Sequence, residues 1–208
     1  GVAALRSTAQ PATGQLWAPP VTEISDKDME VLMVHLGGKR LLNALRVAAR
    51  SSDGTPAVLE CYPLVPSKEA PGCKPFPTLF WLCHPGINAQ VSELEFMGKI
   101  EAFKNRLQAD AGEMGEMEAA HNRYAVDRYA LLTAEDVTAV EKEGWAERLS
   151  TVGVGGMKSG GYVKCLHTHY AHFLARPDKG NLVGRWVHEE LVRGGRHDPK
   201  PAAISGVK

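Results

Sequence analysis

Three apolar runs of strand length, Ala44 to Ala49, Ala57 to Val65 and Thr78 to Cys83, precede a stretch from Ile87 to Leu149 that holds no proline and is rich in Ala, Glu, Leu, Met and Lys. That order constrains the fold more than any other feature of the chain. Asp53-Gly54 between the first two runs is a hairpin signal, so the strands are expected to pair antiparallel. The helix-forming stretch is expected to give two or three helices, broken near Gly112 and at Thr133, where Thr133-Ala134-Glu135-Asp136 has the pattern of a capped start. The fold class read from this is α+β: a small antiparallel sheet of about three strands covered by several helices.

The ends of this core are readable too. Ser25-Asp26-Lys27-Asp28 resembles an N-cap with acids in the first turn, ahead of Met29, Leu32, Met33 and Leu36 at helical spacing, and Gly37-Gly38 stops that helix. Residues 1–24, with Pro11, Pro19 and Pro20, read as an extended arm, residues 25–194 as a single domain, and residues 195–208 as a flexible basic tail. Pro66 to Pro77 holds four prolines and reads as an irregular surface loop. A helix is expected through Ala175, stopped by Pro177, and a last one from about Leu182 to Val192.

Charge and cysteine usage exclude several function classes. The 208 residues carry 24 Lys+Arg against 24 Asp+Glu, which gives no bulk electrostatic case for nucleic acid or an anionic membrane as partner. The neutral total hides an acidic helical middle and a basic end, a pattern that suits a solvated face or a docking surface for a protein partner or a second copy of the chain. No apolar run reaches the ~18 residues of a membrane helix, so a soluble protein is expected. Cys61, Cys73, Cys83 and Cys165 form no CxxC pair and are too sparse for a disulfide scaffold, which favours a reducing compartment.

The chemistry concentrates in Lys164-Cys165-Leu166-His167-Thr168-His169-Tyr170-Ala171-His172, one thiol and three imidazoles in a short segment. On a continuous helix Cys165, His169 and His172 share a face and His167 points elsewhere. If the helix begins after Cys165, Cys165 and His167 can both turn inward. Cys83-His84 ends the third run, ahead of Pro85. Joined to Cys165 and two of the histidines, either residue completes a mixed N/S set suited to tetrahedral Zn²⁺. The alternatives are a nucleophilic Cys165 or Cys83 activated by a histidine, or simply a buried thiol with hydrogen-bonded imidazoles. Glu95 and the pair Glu189-Glu190 are candidate proton carriers. The glycine-rich run Gly153 to Gly161 matches neither phosphate-loop pattern and reads as flexible or closely packed.

Several segments taken in order carry a family resemblance: Arg46-Val47-Ala48-Ala49-Arg50, Pro75-Phe76-Pro77-Thr78-Leu79-Phe80-Trp81-Leu82, Ala120-His121-Asn122-Arg123-Tyr124, Gly153-Val154-Gly155-Gly156 and Val163-Lys164-Cys165-Leu166-His167. Over residues 26–190 the chain resembles the domain of unknown function 501 family. The family's strand closes with Thr-Cys-Pro where this chain has Cys83-His84-Pro85, and exchange of Cys for His suits a zinc ligand better than a nucleophile. The ligand set this implies is His84, Cys165, His167 and His172, with Cys83 and His169 as second choices. The resemblance implies no established activity. It leaves two functions open: a zinc-dependent hydrolase if one metal position is open to water, or a non-catalytic accessory subunit of a larger assembly if the site is closed and structural. The arm, the proline-rich loop and the tail look like additions to a bacterial core, which suits a eukaryotic member in the plastid stroma or mitochondrial matrix.

Overall fold

The computed structural model describes residues 20–67 and 72–195, so the arm up to residue 19 and the tail from residue 196 lie outside the described residues. The architecture is α+β. Helix α1, Asp26–His35, is capped by the Ser25 hydroxyl, which accepts from the Asp28 amide. Strands β1, Ala44–Arg50, and β2, Pro56–Cys61, form the expected hairpin around Gly54, whose φ of 84° needs a residue without Cβ. β2 is central and buried along its whole length. The remaining strands among the described residues are β3, Leu64–Pro66, β4, Cys73–Pro75, and β5, Phe80–Leu82. β5 pairs antiparallel with β2 to complete a three-stranded sheet in the order β1-β2-β5, while β3 and β4 form a separate antiparallel pair.

Two sequence expectations are corrected here. The single run Ala57 to Val65 divides, because Pro63 has no amide to continue the ladder and Tyr62 instead exchanges bonds with Asn43 through its amide and carbonyl. The loop from Pro66 to Pro77, expected to be irregular, contains β4. Its residues 68–71 lie outside the described residues.

The helical stretch forms five helices rather than two or three: α2, Pro85–Phe96; α3, Lys99–Ala109; α4, Ala111–Tyr129; α5, Ala134–Lys142; and α6, Ala146–Thr151. The break expected near Gly112 falls at Asp110, whose carboxylate accepts from the amides of Gly112 and Glu113; composition does not reveal the other two, made by left-handed Gly98 and Gly144. Thr133 caps α5 as expected. Among the described residues two α-helices follow: α7, Leu166–Ala175, and α8, Leu182–Arg193. Among the described residues no helix is long and apolar enough to cross a membrane.

The main core lies between the sheet and helices α2, α3, α4, α7 and α8. α7 runs through its middle, with Leu166, His169, Tyr170, Ala171, His172, Leu174 and Ala175 all buried. A second cluster of Leu32, Leu59, Cys61 and Cys83 sits under α1 on the other side of β2. Fully buried Arg128 ties the helices to the loops. Its guanidinium donates to the carbonyls of Leu149 at 2.8 Å and Val152 at 2.6 Å, at the end of α6, and of Pro77 at 2.8 Å, so two segments distant in sequence are tied to α4. Replacing Arg128 with Met keeps the volume and strips those carbonyls of their donor. It is expected to cost about 3 kcal/mol in urea unfolding, with Arg128→Lys recovering only part, because one ammonium cannot span the same acceptors.

Candidate functional site

Helix α2 presents Ile87, Val91 and Leu94 to the core. The neighbouring stripe of Asn88, Ser92 and Glu95, spaced as one helical face, lines the N-terminus of α7. α7 begins directly after Cys165, the second of the two geometries that the sequence left open. Cys165 and His167 therefore turn together toward this stripe. The Glu95 carboxylate accepts from the Leu166 amide at 2.6 Å and lies 3.1 Å from His167 Nδ1. Cys165 Sγ is 3.8 Å from the same nitrogen. On the far side of the ring, Nε2 is 3.2 Å from the Asn88 carbonyl and 3.1 Å from Ser92 Oγ. The Asn88 carbonyl can only accept, so Nε2 carries a proton and Nδ1 is the nitrogen left to face the thiol and the carboxylate.

Among the described residues, the Cys, His and acidic donors that gather within 4.8 Å of one another are Glu95, Cys165 and His167. The side chains of His167 and Glu95 are 24% and 25% exposed, so solvent reaches the cluster. Its electrostatics are those of an ion pair. The Cys165 thiol, with support from the Glu95 carboxylate, lifts His167 against burial to about 9. Burial pushes the Cys165 thiol up, but the His167 ring and the Thr168 backbone outweigh it and hold the thiol below its ordinary value.

The other residues singled out in the sequence stand elsewhere. His84 caps α2, its Nδ1 accepting from the Ile87 amide at 3.3 Å, and its ring packs edge-on against His35 at 5.0 Å. It sits about three turns, or ~16 Å of helix, before Glu95. Cys83 is buried against the Pro56 carbonyl, and burial pushes its thiol up to about 12. His172 is buried, stacked on Phe80 with ring centroids 5.8 Å apart, and its Nδ1 accepts from Asn181 Nδ2 at 3.0 Å. His169 is buried too, with Nδ1 at 3.2 Å from Asn181 Oδ1. The geometry thus joins Cys165 and His167 of the expected ligands, adds Glu95, and leaves His84, His172, Cys83 and His169 outside the cluster.

Sequence reasoning expected of Glu95 only a proton-carrying role. The sequence does show Asn88, Ser92 and Glu95 as a polar stripe beside the apolar Ile87, Val91 and Leu94, but not which element that stripe faces. Two further residues, His121 and Asn181, were missed as neighbours of His169 and His172, away from the cluster. The glycine-rich run is closely packed: a Cβ on Gly153 would fall 2.4 Å from that of His121, and one on Gly160 would fall 2.1 Å from the Met114 carbonyl. Glu190 pairs with Lys99 at 3.0 Å on the surface.

Burial pushes the imidazoles of His121, His169 and His172 down, to about 4, about 3 and about 3. In the unfolded chain such groups titrate near ~6.5, so below that pH unfolding takes up protons that the folded chain refuses. Their stabilising contribution is therefore full above ~6.5 and falls as the pH drops toward ~4, by up to about 4 kcal/mol per pH unit when all three are protonated only in the unfolded chain. The urea midpoint is expected to fall steeply between pH ~7 and ~5, and a flat profile over that window contradicts the assignment of three neutral buried rings.

A protein-family model described as "Protein of unknown function (DUF501)" matches residues 47–189, more than half of the chain. No curated protein and no solved structure matches it.

Proposed function

The chain belongs to the DUF501 family, and from the geometry around His167 we propose that it is a zinc-binding protein in which Glu95, Cys165 and His167 hold the ion and leave one position to water. The observation that carries this reading is the placement of His167 Nδ1 between Cys165 Sγ and Glu95 Oε1, with Nε2 anchored on the Asn88 carbonyl. Zinc-bound histidines commonly have the second ring nitrogen fixed in this way. Tetrahedral zinc with ordinary bond lengths sets nitrogen and oxygen ligands about 3.4 Å apart, and sulfur and nitrogen about 3.6 Å apart. The observed 3.1 and 3.8 Å need only small shifts to meet those values. Thiolate, imidazole and carboxylate together carry the negative charge that a divalent cation neutralises.

Three protein ligands and a water are the pattern of catalytic rather than structural zinc, and the chemistry such an ion supplies is a hydroxide nucleophile near neutral pH. The activity class proposed is therefore metal-dependent hydrolysis. If a protein partner or a second copy of the chain fills the fourth position instead, the zinc is structural and the chain an accessory subunit. A thiolate ligand needs a reducing compartment, of which the plastid stroma and mitochondrial matrix are examples.

Elemental analysis of tag-free protein, purified under reducing conditions without chelator, tests the site. About one zinc per chain is expected in the native protein and in His84→Ala, with loss in Cys165→Ser and Glu95→Gln. No zinc in the native protein overturns the reading, and loss in His84→Ala would overturn this ligand set.

A second reading rests on the lowered Cys165 thiol beside a raised His167 at the start of α7. That is the environment of a nucleophilic cysteine, with Glu95 orienting the imidazolium. Zinc-free native protein whose Cys165 reacts with iodoacetamide well below the ordinary thiol pKa, and slows in Glu95→Gln, would support it. Protection of Cys165 by stoichiometric zinc would favour the metal site.

A further inference from the structure

Three imidazoles meet inside the α4–α7 interface, apart from the cluster around His167. His121 on α4 is 1% exposed, and His169 and His172 on α7 are fully buried. The His121 and His169 rings lie edge to face with centroids 5.9 Å apart, and Tyr124 and Phe80 wall the His172 ring. In each of the three the Nε2 atom is buried and has no hydrogen-bond partner among the described residues. A buried polar atom without a partner costs about 1 to 3 kcal/mol, so three of them on rings that line one interface call for a ligand.

The backbone fixes which of these nitrogens carries a proton. The Val154 amide donates to His121 Nδ1 at 3.1 Å, so His121 has its lone pair on Nδ1 and its proton on Nε2. The Gly184 amide donates to Asn181 Oδ1 at 2.9 Å, which fixes the orientation of that side-chain amide. Asn181 Oδ1 can then only accept from His169 Nδ1, which carries the proton and leaves a lone pair on Nε2. Asn181 Nδ2 donates to His172 Nδ1, leaving the proton of His172 on Nε2. The three Nε2 atoms are therefore two donors and one acceptor.

That pattern rules out a metal ion. Offering all three Nε2 lone pairs would require His121 and His172 to move their protons to Nδ1, against the Val154 N–H and the Asn181 Nδ2–H. A water matches it, accepting two hydrogen bonds and donating one. We propose that the α4–α7 interface is an internal hydration site in which bound water, directly or through a second water, accepts from His121 Nε2–H and His172 Nε2–H and donates to His169 Nε2. The water is then a structural member that holds α7 against α4, and with it the turn that carries Cys165 and His167.

The test uses the full chain labelled with ¹⁵N-histidine at neutral pH. Two-bond nitrogen–proton correlation spectra report the tautomers, and cross-relaxation from the water signal to the imidazole protons reports the ligand. The expected result is a proton on Nε2 of His121 and His172 and on Nδ1 of His169, with water cross-peaks to the two Nε2–H protons. Unprotonated Nε2 atoms on His121 and His172 would overturn the proposal, as would shifts of all three rings on adding stoichiometric zinc. Protonated Nε2 atoms without water cross-peaks would overturn it equally, showing a dry interface. None of these outcomes depends on zinc binding at His167, because zinc lost from Cys165→Ser leaves the three buried rings intact.

Discussion

The bond from the Leu166 amide to the Glu95 carboxylate, 2.6 Å long, is the constraint around which the site is arranged. The first amides of a helix have no partner within it, and α7 lies too deep in the core for water to serve them all. A carboxylate at that end satisfies a donor and meets the positive end of the helix dipole. The same oxygen of Glu95 also faces His167 Nδ1, so the contact that seats α7 on α2 also sets the geometry of thiol, imidazole and carboxylate. Docking the helix and building the cluster are one event.

Two histidines on α7 show how far position governs chemistry. His167 is lifted to about 9 by the thiol and the carboxylate, whereas His169 is pushed down to about 3 by burial. Residues two apart on a helix point to nearly opposite sides. One side here meets the polar stripe of α2 at the solvent edge, and the other meets the α4 interface, where nothing compensates a charge. The buried polar groups that do carry charge are matched: Glu60 is paired with Arg46 and Arg176, and Arg128 with several carbonyls. Such matches make alternative packings of the same helices costly, since each would leave a charge or a donor without its partner.

Much of the fold was legible because its signals are local. Ser25 and Thr133 announce helix starts through their side chains, Asp53-Gly54 announces a hairpin, and the alternation of apolar runs with proline-free sequence gives the α+β class. The number of helices was not legible, because Gly98 and Gly144 interrupt helices without changing composition, although the break near Gly112 was. The candidate site was half legible. Cys165 and His167 are neighbours in sequence and became neighbours in space once α7 started after Cys165. His84 and His172 were grouped with them by residue type, but His84 is spent on capping α2 and His172 on Asn181, and neither partner can be read from spacing. Glu95 reaches the cluster only through the packing of α2 on α7, a contact between segments some seventy residues apart that no local pattern encodes.

The glycines that bring the helices together extend the site's sensitivity well beyond its own residues. Gly184 lets α8 approach so closely that a Cβ there would fall 2.4 Å from the His169 carbonyl, and Gly153 and Gly160 do the same for the loop against α4. A single methyl group at any of these positions would have to be absorbed by displacement of a helix: at Gly184 the α7 backbone itself, at Gly153 the α4 turn whose His121 packs against His169 of α7, and at Gly160 the backbone of α4. Evolutionary drift in this chain is therefore restrained at places that touch neither Cys165 nor Glu95. A relative that enlarged one of these glycines would need a compensating loss of volume across the interface to keep the thiol and the carboxylate facing the same nitrogen.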